Sequence, residues 1–311
     1  MRIPPRRSAL VLAQWVMAVA VLVLQAPAAL SAQRSFPTAQ DAVDALIAAN
    51  REDRVDELER ILGPGGAKLV RSGDAVADRQ GREQFLAAYN EAHRIDAEGP
   101  STAILIVGRD EWPLPIPLVH SQHGWRFDTP RGEREILDRR IGRNELSVIE
   151  VCRAYVEAQR EYAAIRVAAG APAAYAQHFQ SHPGSRDGLY WEATADDTPS
   201  PLGPLIAQAQ ASGYSTDRPL GRREPYHGYF FRILTRQGEH APGGPKNFVV
   251  DGRMSEGFAL IAYPAVYGDS GIMTFMVGPE GIVFERNLGP QTASIAPRID
   301  AFDPDKSWHI P

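Results

Sequence analysis

Between Tyr226 and Thr292 the sequence sets down short apolar runs separated by glycine turns, YHGYFFRIL and then GFALIAYPAVYGDSGIMTFMVGPEGIVFERNLGPQT. Runs of β-branched and aromatic residues bounded by glycine and proline form strands. Four are expected, at residues 229–234, 257–263, 272–277 and 282–286. The tetrapeptide Gly278-Pro279-Glu280-Gly281 should join the last two as a hairpin, because its glycines accept positive φ and Pro279 presets the turn. Consecutive strands with tight links give an antiparallel meander, and such a sheet must bury one face against another element.

Residues 144–170 supply that partner. Val148, Val151, Tyr155, Ala158, Tyr162 and Ile165 recur at three- and four-residue steps, and Ile149, Cys152 and Val156 widen the stripe. A stripe this wide suits a helix laid across a sheet rather than a coiled-coil seam. Asn144 is the expected N-cap, and Gly170 before Pro172 the expected end. Residues 130–143 (PRGEREILDRRIGR) are dense in charge and read as a solvated inter-domain connector, with a helix one form it can take. Residues 173–217 read as a surface excursion. A short helix and a turn are expected in AYAQHFQSHPGSRDGLYWEA, then a proline-rich TPSPLGPL and a helical LIAQAQASG.

Upstream, Thr38 with Asp41 three residues on forms a capping-box start for a helix over 39–50. Val55, Leu58, Ile61 and Leu62 keep helical spacing up to the glycine-rich stop at residues 63–66. Phe85, Leu86 and Tyr89 mark a third amphipathic piece over 81–94. The period then changes: TAILIVG (102–108), the proline-laced PLPIPLV (113–119) and a strand at 125–128 predict a small antiparallel sheet, its middle segment confined to an edge or half-paired position by its prolines. The fold class is α+β. Helices and a small sheet form a cone-like module (36–129), followed by a charged connector (130–143) and a long helix packed on a meander (144–311).

The first 32 residues have the three-part pattern of a secretory signal peptide: Arg2, Arg6 and Arg7, an apolar run from Ala9 to Leu24, then small residues up to Ala32. The apolar run is short for a spanning helix, so the expectation is a cleaved signal, a periplasmic protein and no membrane span after cleavage. A net charge of -5 gives no overall electrostatic attraction to nucleic acid. The single cysteine, Cys152, rules out an intramolecular disulfide and sits among apolar neighbours as a buried residue.

Motifs for chemistry are sparse. Gly268-Asp269-Ser270-Gly271 has the local form of a protease nucleophile loop but lacks the flanking residues, and it reads as a turn into the third strand. His178 and His182 stand four apart, and His120 and His123 flank a strand end; with no third ligand in reach of the sequence, both pairs read as surface histidines, and no metal or cofactor is expected. Asp110, Glu111, Asp187, Glu192, Asp196 and Asp197 read as turn residues. APGGPKN (241–247) lacks the signature of a phosphate loop. The aromatics Tyr190, Trp191, Tyr226, Tyr229, Tyr263 and Tyr267 cluster around Pro and Gly, a composition that suits a recognition surface.

The strings GYFFRILTRQGEHAPGGPKNFVVDGRM, GFALIAYPAVYGDSGIMTFMVGPEGIVFERNLGPQT and DGLYWEA with SPLGPL resemble the bacterial family catalogued as domain of unknown function 2950, over nearly the whole chain after the signal. That resemblance implies an exported envelope protein and carries over no catalytic residue. In architecture, residues 36–129, closing on GWRFD, resemble the cones of the nuclear transport factor 2-like superfamily. The long helix followed by MTFMVGPEGIVFERNLG is similar to the globular heads of pseudopilins. Prepilins, however, keep their apolar segment as the start of the long helix, whereas about 100 residues separate the two here. The expected function is a non-catalytic periplasmic binding or assembly module whose partner is an envelope protein or a cell-wall or sugar component. An exported hydrolase and a small-ligand carrier using the first module are the alternatives.

Overall fold

The computed structural model describes residues 33–194, 197–215 and 224–311; the expected signal segment lies outside them. Helix α1 (Ala39–Arg51) begins at the capping box, with Thr38 Oγ1 accepting from Asp41 N–H and the Asp41 carboxylate accepting from Thr38 N–H. Helix α2 (Val55–Leu62) stops at Gly63 (φ 73°), and a five-residue α3 (Gly66–Val70) follows where only a turn was expected. Helix α4 (Ala75–Glu91) starts six residues before the expected Gly81, because the Asp74 side chain caps Ala77 N–H at 3.0 Å.

The period change falls earlier than expected. Strand β1 (His93–Ala97) takes the end of the third amphipathic piece and pairs along its whole length with β2 (Thr102–Val107). A two-residue β3 (Trp112–Pro113) touches only β2, as its proline requires. The last proline, Pro117, frees the chain to enter β4 (Leu118–Ser121), which lies between β2 and β5 (Gly124–Phe127). Val43, Leu46, Leu58, Ile61, Leu105 and Phe127 are among the residues of the core between these helices and the sheet.

Helix α5 (Thr129–Ala168) is a single helix of 40 residues. Residues 130–143 are therefore its first third rather than a solvated connector, and Asn144 is not a cap. Leu137 and Ile141 are buried, and the Arg140 guanidinium donates to the carbonyls of Lys68 and Leu69 at the end of α3. Asn144 and Glu145 clamp the helix to the next sheet: Asn144 Nδ2 donates to Ser270 O at 2.8 Å, and one Glu145 oxygen accepts from Ile272 and Met273 N–H at 2.9 Å each. The helix ends at Ala168, with Gly170 at φ 76°.

The excursion that follows holds two short parallel strands, β6 (His178–Gln180) and β7 (Gly188–Tyr190), where a helix was expected, and then α6 (Gly203–Ala211). The meander begins with β8 (Tyr229–Leu234). Two small ladders interrupt it, β9 (Arg236–Gln237) with β10 (Lys246–Asn247) and β11 (Val249–Val250) with β12 (Arg253–Met254). It resumes with β13 (Ala259–Pro264), β14 (Met273–Val277) and β15 (Val283–Asn287), the last two joined through Gly278–Gly281. The four long strands stand in the order β15-β14-β13-β8, all antiparallel. One sheet face meets α5, through Tyr229, Phe231 and Phe275 against Val148, Cys152 and Tyr155. The other is covered by the C-terminal segment: Arg232 donates to the carbonyls of Ala296 and Ile299, and Phe302 lies 6.0 Å from Phe284. No helix among the described residues is long and apolar enough to cross a membrane.

Cys152 is fully buried, and that burial pushes its thiol up to about 12. Because the thiolate is the reactive form, the native chain should resist alkylation near neutral pH and react only when unfolded. Mass spectrometry of iodoacetamide-treated samples with and without denaturant checks this; rapid labelling of the folded chain would contradict the packing described here.

Candidate functional site

A cleft of about 1130 Å³ opens between residues 177–186 with 190–192 on one side and residues 231–233 of β8 on the other. Its β8 wall is a sheet edge. At the start of β8, Tyr226 and Tyr229 exchange two backbone hydrogen bonds across His227 (φ 51°) and Gly228 (φ 75°), a two-residue turn with positive φ at both central positions. Ala265 N–H reaches Gly228 O at 2.9 Å. Antiparallel alternation from that bond turns Phe230, Arg232 and Leu234 toward β13, and leaves the N–H and C=O groups of Phe231 and Ile233 pointing away from it. No other described strand pairs with this edge.

The opposite wall is a tightly closed loop. His182-Pro183-Gly184-Ser185 is a turn with proline at its second position, glycine at φ 77° at its third, and a 3.0 Å bond from Ser185 N–H to His182 O. Gly188 packs where a Cβ would stand 2.6 Å from the backbone of Gln180 and Ser181, so β6 and β7 close together only over glycine. Asp187 ties the loop: one carboxylate oxygen accepts from His182 N–H (2.9 Å) and Ser185 Oγ (2.6 Å), and the other lies 2.6 Å from His182 Nδ1. Burial pushes the Asp187 carboxyl up, but the hydrogen bonds from Ser185 and His182 outweigh it and hold the group well below the usual carboxylate range. Arg186 lies 5.5 Å over the Trp191 ring and pairs with Asp197 at 2.9 Å.

The six aromatics do not form one surface. Tyr190 and Trp191 meet at the cleft, Tyr190 half-buried and Trp191 buried with its indole N–H donating to Thr198 O at 3.0 Å. Tyr226 (3% exposed) and Tyr229 (0%) are core residues, a correction to their place on a recognition surface. Burial raises both phenols, and the Tyr229 hydroxyl donates to Met273 O at 3.0 Å. Tyr263 of β13 lies tilted against Phe230 of β8, with ring centroids 5.7 Å apart, and Tyr267 belongs to the turn closed at Gly271.

Ser270 is fully buried, and its hydroxyl accepts from Val266 N–H (3.0 Å) and donates to Val266 O (3.2 Å), which makes it a fixture of that turn. Among the carboxylates, Glu111 pairs with Arg94 at 2.8 Å, Glu192 lines the cleft, and Asp196 lies outside the described residues. His178 and His182, read from the sequence as surface histidines, are exposed on β6 and on the loop after it, and the fold brings Asp187 to them as a third donor that sequence spacing had not connected. His120 and His123 are exposed, and among the described residues no third donor joins them.

Fold and site together define an α+β protein that carries an open cleft beside a sheet edge. Residues 33–310 match the family described as Protein of unknown function (DUF2950), and the chain belongs to that family. No curated protein and no solved structure matches it.

Proposed function

We propose that the chain is exported to the periplasm through its first 32 residues and works there as a non-catalytic binding or assembly module, receiving an extended segment of an envelope protein in the cleft beside β8. The edge of β8, unpaired among the described residues, supports this reading. The outward N–H and C=O groups of Phe231 and Ile233 repeat at the two-residue step of a strand, and an added strand is the partner that satisfies them in register. Tyr190 and Trp191 stand beside that edge and would read side chains of the segment. Pairing of this kind draws affinity from main-chain hydrogen bonds and specificity from flanking pockets.

In-cell crosslinking of the full chain, followed by mass spectrometry and compared with a form lacking residues 1–32, tests the reading. The expected result is one enriched envelope protein whose crosslinks fall on residues 177–192 and 231–233, lost when the first 32 residues are removed. Crosslinks that fall elsewhere, or capture that is indifferent to those residues, would overturn it, and capture of glycan strands alone would move the cleft to a wall component.

A further inference from the structure

We propose that His178, His182 and Asp187 form a divalent-metal site suited to zinc, in the loop wall of the cleft. One ring nitrogen from each histidine and one carboxylate oxygen of Asp187 lie within 4.8 Å of one another. The two imidazoles meet edge to face, with centroids 5.1 Å apart and planes at 83°. Four-coordinate zinc with bonds of about 2 Å holds its donors about 3.3 Å apart. Side-chain rotation covers the difference: both imidazoles are exposed, and a metal would either replace the 2.6 Å contact between His182 Nδ1 and Asp187 or take His182 through Nε2.

The backbone beneath the three donors is already fixed. His178 sits on β6 opposite Gly188, which follows Asp187 directly, and the Pro183-Gly184 turn returns the chain from His182 to Asp187. Asp187 commits one oxygen to Ser185 and to His182 N–H, and its other oxygen lies 2.6 Å from His182 Nδ1. Two imidazoles and one carboxylate form a donor set that favours zinc over magnesium or calcium, which take oxygen ligands. Three protein ligands leave a fourth position open for water or a ligand group, and both histidines line the cleft, so that position faces it. The site stands independently of the partner proposed above, because zinc alone reads it.

The untagged full chain is titrated with zinc chloride by calorimetry, and its thermal unfolding is followed with and without the ion. One equivalent should bind with a dissociation constant of about micromolar or below, and excess zinc should raise the unfolding temperature, because the loop presents these donors together only when folded. The H178A variant should fold as the parent does and bind zinc at least roughly tenfold more weakly; D187N should weaken binding too, while H120A should bind as the parent does. Binding weaker than about 100 μM in the parent, or full affinity in H178A, would overturn the assignment.

Discussion

Replacing Asp74 by alanine is expected to destabilise the fold by about 3–5 kcal/mol, the range for stranding the partners of a buried charged group. Asp74 is 2% exposed and caps α4. One of its oxygens accepts from Ala77 N–H at 3.0 Å, and the other from the Tyr214 hydroxyl and from Gly228 N–H, both at 2.9 Å. A single carboxylate thus ties the start of α4 to the turn that launches β8. Alanine strands a buried hydroxyl and a buried amide and also removes the cap. Asparagine keeps the shape but has one acceptor oxygen to serve two sides, and should cost about 2 kcal/mol. Urea unfolding of the three chains measures both steps. A D74N variant as stable as the parent would mean that the carboxylate does not hold both groups.

Gly132 gives the second large effect, and its sign depends on which of two forces wins. Within a helix, alanine is favoured over glycine by about 1 kcal/mol. A Cβ at Gly132, however, would stand 2.3 Å from Pro115 O, 2.5 Å from Pro115 C and 2.8 Å from Ile116 N. These are backbone atoms that no rotamer change can move, and overpacking of this kind costs about 1–3 kcal/mol or more. G132A should therefore destabilise by about 2 kcal/mol net or more. At Gly142, on the same helix, a Cβ would have nothing within 4 Å, so G142A should stabilise by about 0.5–1 kcal/mol. Opposite signs in denaturant unfolding confirm that α5 presses its first third against residues 115–116; equal signs would contradict that contact.

Much of this architecture was legible because local chemistry and the tertiary fold agree. Thr38 and Asp41 announce α1, and the GPEG turn with its apolar flanks announces the β14–β15 hairpin. The first third of α5 was obscured by its charge. Leu137 and Ile141 continue the stripe that resumes at Val148, but they are spaced by arginines and acids that look solvated until Arg140 is seen capping α3. Strand β1 was hidden because HRIDA reads as the tail of a helix until β2 pairs with it. The site was less legible than the fold. Three-residue strands such as β6 and β7 carry no periodic signal, and Asp187 becomes a neighbour of His178 and His182 only through the Pro183-Gly184 turn. Aromatic composition, likewise, does not show which way a side chain points: Tyr226 and Tyr229 turn inward as the fold closes over them.

The proposed role rests on the edge of β8 that no described strand pairs with, and the I233P variant tests that edge most directly. The Ile233 N–H points away from β13, so proline removes no bond of the sheet while it removes a donor from the cleft and blocks strand addition. Photo-crosslinking from position 192 in cells, in the parent and in I233P, with unfolding midpoints checked alongside, is the decisive measurement. The expected result is that I233P stays folded and exported but loses the crosslinked envelope partner. Undiminished capture by the folded variant would contradict strand addition at β8.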